Sequence, residues 1–162
     1  MKFCILGSGS EGNSILLRTP EACILIDSGF SMAEMERRLS EAGSSPEDID
    51  AIFISHEHVD HVRSVKMLHE KYGIALFANR PTANEIRKIC SAPLPFNIFM
   101  TNRPFLFRDI VGEPFSVFHD ATEPVGFSIT HGGLKLSVAT DLGFPSTSVR
   151  EKMKNSHYVV LE

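Results

Sequence analysis

Ser55-His56-Glu57-His58-Val59-Asp60-His61 gathers three histidines and an aspartate into six residues, directly after the apolar run Ala51-Ile52-Phe53-Ile54. No packing requirement asks for that composition. Imidazole nitrogens and carboxylate oxygens are ligands for zinc and related divalent ions, and neighbouring ligands on a short segment lower the entropy cost of assembling a site. In extended chain, side chains alternate, so His56 and His58 project to one side and can share an ion. Asp60 and His61 are consecutive and cannot easily follow them. Their natural use is a second ion, on the order of 3.5 to 4 Å from the first. The plain alternative is a solvated loop that happens to be rich in histidine, and four ligand-type residues at the end of a buried strand weigh against it.

The elements around this stretch must hold it in place. Val62, Val65, Met67 and Leu68 form a partly apolar helical pattern up to Tyr72-Gly73, so Asp60 and His61 are expected where that helix begins. His69, on the same helix, reads as a surface or core histidine. Lys2 to Leu6 is a short strand that ends in Gly7-Ser8-Gly9-Ser10-Glu11-Gly12-Asn13, a turn that lets backbone approach closely. Nucleotide binding by that loop is disfavoured, because it lacks Gly-Lys-Ser/Thr and leads into a second strand, Ser14 to Leu17. Ala22 to Ile26 is a buried strand with Asp27-Ser28-Gly29 at its tip. Ser31-Met32-Ala33-Glu34 is a capping box for a helix to about Ala42, stopped by Gly43, and Ser45-Pro46-Glu47-Asp48 starts a short turn. Ile74 to Ala78 is the next strand, and Thr82-Ala83-Asn84-Glu85 is expected to cap a helix through Cys90.

From Pro93 onward the chain is rich in phenylalanine and reads as a meander of short strands. Phe115, Val117 and His119 alternate on one strand, with His119 at its end. Val125 to Thr130 and Leu134 to Thr140 flank the hairpin signal His131-Gly132-Gly133, and the second of these strands leads to Asp141. Ser148-Val149-Arg150-Glu151 opens a last helix, and Tyr158 to Glu162 begins a strand. Strands alternating with helices, then strands in series, argue for an α/β layered fold.

The bounds agree with one domain spanning 1–162, since 43% hydrophobic residues can build a core at this length. Net charge is -4, which announces no global basic field for nucleic acid or membrane. The first apolar run is too short for a signal peptide or a membrane span, so a cytoplasmic protein without membrane contact is expected. Cys4, Cys23 and Cys90 are odd in number and widely spaced, which favours reduced core thiols over disulfides.

With His56-Glu57-His58-Val59-Asp60-His61 followed by His119 and then Asp141, and with Asp27 ahead of the motif, the sequence resembles the metallo-β-lactamase superfamily. Gly7 to Ser14 and His119-Asp120-Ala121-Thr122-Glu123-Pro124-Val125-Gly126 resemble its WalJ (YycJ) branch, which implies phosphodiester hydrolysis of nuclease type, including 5′ to 3′ exonuclease action on duplex DNA. The resemblance implies an αββα sandwich, two β-sheets face to face with helices outside. It implies that His56, His58 and His119 hold one ion, that Asp60 and His61 hold another, and that Asp141 bridges them. Asp27 would steady the motif loop from behind, as ligating imidazoles need a partner on the far nitrogen. Family members continue past the strand at Tyr158 and supply one more histidine, and His157, which precedes that strand, is not its equivalent. The expectation is therefore either a truncated second half or a site completed by a partner, with a weakened second ion and an unfilled sheet side that invites self-association.

The function so implied is a metal-dependent hydrolase, a phosphodiesterase or nuclease on DNA, with two divalent ions, zinc or else manganese or iron. Two cations would neutralise phosphate charge and lower the pKa of a shared water from about 15.7 towards 7, with Asp60 orienting the hydroxide as the catalytic residue. Two alternatives stand beside it: hydrolysis of a thioester or other small molecule by the same fold, and a truncated metal-binding chain without activity. Arg63, Arg80 and Arg103 read as solvated charges before they read as nucleic-acid contacts.

Overall fold

Runs of Ile, Leu, Val and Phe separated by capped amphipathic stretches build two β-sheets that face each other, and the computed structural model describes residues 1–162. The first sheet runs in spatial order β1 (Lys2–Gly7), β2 (Ser14–Arg18), β3 (Cys23–Ile26), β4 (Ala51–Phe53), β5 (Ala75–Ala78), β6 (Phe96–Ile98). β1, β2 and β3 are antiparallel, and β3 to β6 are parallel. Parallel neighbours need crossovers, supplied by α1 (Met32–Glu41), α2 (Val59–Val62) with α3 (Val65–Tyr72), and α4 (Arg80–Cys90). The second sheet comprises β7 (Phe105–Phe107), β8 (Ile110–Ser116), β9 (Val125–His131), β10 (Leu134–Ala139) and β11 (Tyr158–Leu161), with α5 (Thr147–Met153) between the last two strands. β11 lies parallel to β10 at the sheet edge, and the rest of that sheet is antiparallel.

Both faces of β2, β3 and β4 are covered, which is why they read as unbroken apolar runs rather than as alternation. Between the sheets, Ile15, Leu17, Ile24 and Phe53 meet Phe127, Ile129 and Leu136. Phe53 sits at the centre, its ring edge-on to Phe77, Phe105 and Phe107 at 5.1 to 5.7 Å. On the outer face of the first sheet, Leu16, Leu25, Ile52 and Leu76 pack under Met35 and Leu39 of α1, Val65 and Leu68 of α3, and Ala83 and Ile86 of α4. On the second sheet, Val149 of α5 packs with Phe115 and Ala139. The result is the expected αββα layering. No helix is long and apolar enough to cross a membrane.

Several local expectations are corrected. α4 begins at Arg80 rather than after Thr82, because Asn79 is its cap: the Asn79 Oδ1 accepts from the Thr82 N–H at 2.9 Å and Pro81 fits the first turn. β6 is not part of the phenylalanine-rich meander but the parallel edge of the first sheet. The helix after the motif is broken into α2 and α3, since the Ser64 N–H donates to Ser28 O at 3.1 Å. α5 is capped by Ser146, whose Oγ accepts from the Val149 N–H, and not by Ser148. The three cysteines are unpaired, but Cys4 is exposed on edge strand β1 instead of lying in the core.

Candidate metal centre

Asp27, at the tip of β3, and Ser55 to His61, at the tip of β4, meet at the carboxyl ends of adjacent parallel strands, the usual place for a site in an open parallel sheet. The two segments are stitched together by backbone as well as side chains. Asp27 N–H donates to Phe53 O at 2.9 Å and Ser28 N–H to His61 O at 2.8 Å. At Gly29 a Cβ would stand 1.5 Å from Asp60 O, so only glycine permits this approach.

Asp27 organises the motif from beneath. Its Oδ1 accepts from the Ser55 N–H at 2.8 Å, and its Oδ2 accepts from Ser55 Oγ at 2.7 Å and faces His61 Nδ1 at 2.8 Å. With the Ser55 hydrogen committed to Asp27, Ser55 Oγ is left to accept from His56 Nδ1, 2.9 Å away. Both rings therefore carry their hydrogen on Nδ1, and both Nε2 lone pairs turn inward. His56 Nε2 is buried without any hydrogen-bond partner. Burial, followed by the neighbouring His61, lowers the His56 pKa to about 4, so this imidazole stays neutral and available as a donor atom.

Two groups of donor atoms converge on that orphaned nitrogen: His56, His58 and His119 form one, and His56, His61 and Asp141 form the other. In the first, His58 Nδ1 and His119 Nε2 stand 3.1 Å apart. That is close to the roughly 3.4 Å between donors on a tetrahedral zinc with bonds of about 2.0 to 2.1 Å. His119 Nδ1 lies 3.2 Å from Asp120 Oδ1, which again leaves Nε2 for the centre. In the second group, Asp141 Oδ2 is 2.8 Å from His61 Nε2 yet has no hydrogen-bond partner, and Asp60 Oδ2 is 3.6 Å from the same nitrogen. Lone pairs aimed at each other at such distances call for a positive charge between them. The His61 pKa shows the same demand: burial pulls it down, but Asp27, then Asp141 and Asp60, raise it overall. Inward-facing imidazole nitrogens and carboxylate oxygens, with His56 Nε2 and Asp141 Oδ2 left without a hydrogen-bond partner, fit a divalent cation.

The structure thus brings together His56, His58, His61, His119 and Asp141, with Asp27 behind them. Asp60 stands at the margin, outside both groups, its Oδ2 facing Asn13 Nδ2 at 3.3 Å. His119 is not a strand-end residue: β8 stops at Ser116, and the loop that follows carries His119 across to the motif. Glu57, between the first two histidines, secures that loop, its Oε1 accepting from Thr122 N and Oγ at 2.7 and 2.6 Å. Asp141 lies two residues past β10, and both Asp141 (φ 55°) and Asp27 (φ 60°) adopt left-handed backbone, strain that tends to mark working sites. Sequence reasoning gave no role to Asn13, Ser55, Glu57 or Thr122. The available signals were a carboxamide closing a glycine-rich loop and a serine directly between a buried strand and a histidine.

Residues 7–152 match the family model of the metallo-beta-lactamase superfamily. The chain is 35% identical over 99% of its length to exodeoxyribonuclease WalJ of Streptococcus pneumoniae, and 32% identical over 100% to exodeoxyribonuclease YycJ of Bacillus anthracis. It spans 61% and 62% of those two relatives, about three fifths of their length. Among solved structures, the metallo-beta-lactamase fold protein YhfI of Bacillus subtilis superposes with a TM-score of 0.82 at 16% identity, covering 97% of this chain and 68% of that one. Zn(2+)-bound PqqB of Methylobacterium extorquens superposes at 0.80 and 16% identity, covering 99% and 72%. Those two likenesses concern the fold, whereas the family model runs from the glycine-rich loop through the motif and ends within α5. The chain belongs to the metallo-beta-lactamase superfamily.

Proposed function

We propose that this chain carries the catalytic centre of a metal-dependent phosphodiesterase that cleaves DNA, with two divalent cations, zinc or else manganese or iron. The observation that carries the proposal is the buried, unpartnered His56 Nε2 at the meeting point of two donor groups. In this reading His56, His58 and His119 would hold one cation, His61 and Asp60 the other, and Asp141 would serve both. Bound there, the cations would supply charge neutralisation for phosphate and a water acidic enough to ionise near neutral pH.

The protein's own groups do the rest. Asp27 and Ser55 fix the tautomers of His61 and His56, so that each presents a lone pair. Glu57 holds the loop that delivers His119. Asp60 would accept a proton from an attacking water and orient it, a role supported by its partly exposed side chain 3.6 Å from His61 Nε2. DNA as the substrate is supported by the two relatives named exodeoxyribonuclease. The same reading includes self-association through β11, supported by the exposed Tyr158, Val159 and Leu161 on that edge strand.

The test is incubation of the metal-loaded chain with end-labelled duplex and single-stranded DNA, with His58→Ala and Asp60→Ala as controls. Release of nucleotides by the parent and a loss of about 100-fold or more in both variants is expected. Cleavage unchanged by both substitutions would contradict the proposal. A glutathione thioester assayed in parallel separates nuclease action from small-molecule hydrolysis.

A further inference from the structure

Asn13 closes the loop between β1 and β2, is only 3% exposed, and has no part in the roles assigned above. Its backbone is tied to the motif: Asn13 N–H donates to Asp60 O at 2.8 Å, and Asn13 O accepts from Gly29 N–H at 3.0 Å. Its side chain is oriented by one residue acting at both ends of the amide. Asn13 Oδ1 accepts from Gly9 N–H at 3.0 Å while Nδ2 donates to Gly9 O at 3.2 Å, so the amide cannot be turned around without losing both bonds. That fixes Nδ2 toward the centre, 3.3 Å from Asp60 Oδ2 and 3.0 Å from His61 Nε2.

An amide nitrogen has two hydrogens. One goes to Gly9 O, and the other is shared between Asp60 Oδ2 and the inward lone pair of His61. A cation on His61 Nε2 would take that lone pair away and leave the second hydrogen wholly to Asp60. Asp60 Oδ2, the oxygen that also lies 3.6 Å from His61 Nε2, would then be held by Asn13 alone.

We infer that Asn13 is a positioning residue for the Asp60 and His61 side of the centre: its amide holds both donor groups in place without a cation and pins Asp60 Oδ2 when one is bound. The inference rests on the two-cation reading above. It gives the glycine-rich loop a purpose other than phosphate binding, since the glycines let Gly9 backbone approach the amide from both sides. The His58 and His119 imidazoles make no hydrogen bond with Asn13.

The experiment combines calorimetric titration of the metal-free chain with Zn2+ and NMR of side-chain nitrogens. In the parent protein, the Asn13 side-chain amide signals are expected to move with the second equivalent of Zn2+ and not with the first. Asn13→Ala is expected to weaken the second equivalent by about 10- to 100-fold, the usual effect of losing an outer partner, and to leave the first within about twofold. In metal-free Asn13→Ala the His61 Nε2 resonance should shift while those of His58 and His119 stay. Equal weakening of both equivalents would show a general loosening of the fold and overturn the inference, as would an unmoved His61 resonance. Should Asn13→Ala not fold, the amide signals of the parent decide, and their indifference to Zn2+ would overturn the inference. A parent protein that saturates at one equivalent contradicts the two-cation reading, a separate result from the metal-free His61 shift that tests the Asn13 contact.

Discussion

The two donor groups share His56 but are built on opposite plans. Both sides span the two sheets, Asp141 following β10 and His119 following β8, but on the first side His61 is held from within the first sheet: it is fully buried, Asp27 and Ser55 face its Nδ1, and Asn13 faces its Nε2. The second side lacks such a network. His58 comes from the motif and His119 from a loop beyond β8, and that loop is tied down by Glu57, whose side chain comes from the motif itself. One side is held by a buried network, the other by a clasp near the surface. The difference teaches that the number of donor atoms does not measure how firmly a position is built. The sequence argument expects a weakened second ion, yet the protein-side support for Asp60 and His61 is the denser of the two.

Substitutions can separate these plans. The largest effect is expected from Asp27→Ala, which strands the buried Ser55 N–H, frees Ser55 Oγ and removes the partner of His61 Nδ1. A cost of about 3 kcal/mol in urea unfolding is expected, from one unsatisfied buried donor and a broken network, together with weaker binding at both positions. Gly29→Ala should come close behind. A Cβ at 1.5 Å from Asp60 O drives the β3 tip away from the motif, so Zn2+ uptake on the Asp60 and His61 side should fall before the other side responds.

A smaller, one-sided effect is expected from Glu57→Ala. Releasing Thr122 should weaken the His58 and His119 position by about tenfold and leave stability within about 1 kcal/mol, read by calorimetry and thermal melting. Equal effects on both positions would erase the distinction between clasp and network.

The smallest effect is in pH. His56 has its folded pKa lowered to about 4 from 6.5, so its contribution to stability is lost as pH falls from 6.5 towards 4. His61 has its folded pKa raised above 6.5, so its contribution is present below 6.5 and lost as pH rises through the folded value. The stability these two residues give the metal-free chain should therefore be greatest near pH 6.5. Zn2+, replacing the His61 proton, should move that maximum to higher pH, and urea midpoints between pH 5 and 8.5 with and without Zn2+ check it.

The motif was legible because its residue types have no packing rationale, and the αββα layering because buried strands read as continuous apolar runs while capped helices punctuate them. Less legible were features set by tertiary partners. Asn79 outcompetes the Thr82 box as a cap because the chain leaves β5 at that residue, and propensity does not register where a strand ends. The last β8 to β9 bond is Val117 N–H to Pro124 O, and the chain leaves the sheet beyond it, a departure that alternation along Phe115, Val117 and His119 does not reveal. Asn13 lies 47 residues from Asp60, and nothing local in a glycine-rich loop announces a distant carboxylate.

The account stands most directly on the stoichiometry of Zn2+ uptake by the metal-free chain. Two sequential equivalents are predicted, one abolished by His119→Ala and the other by His61→Ala. A single equivalent that survives both substitutions would contradict it.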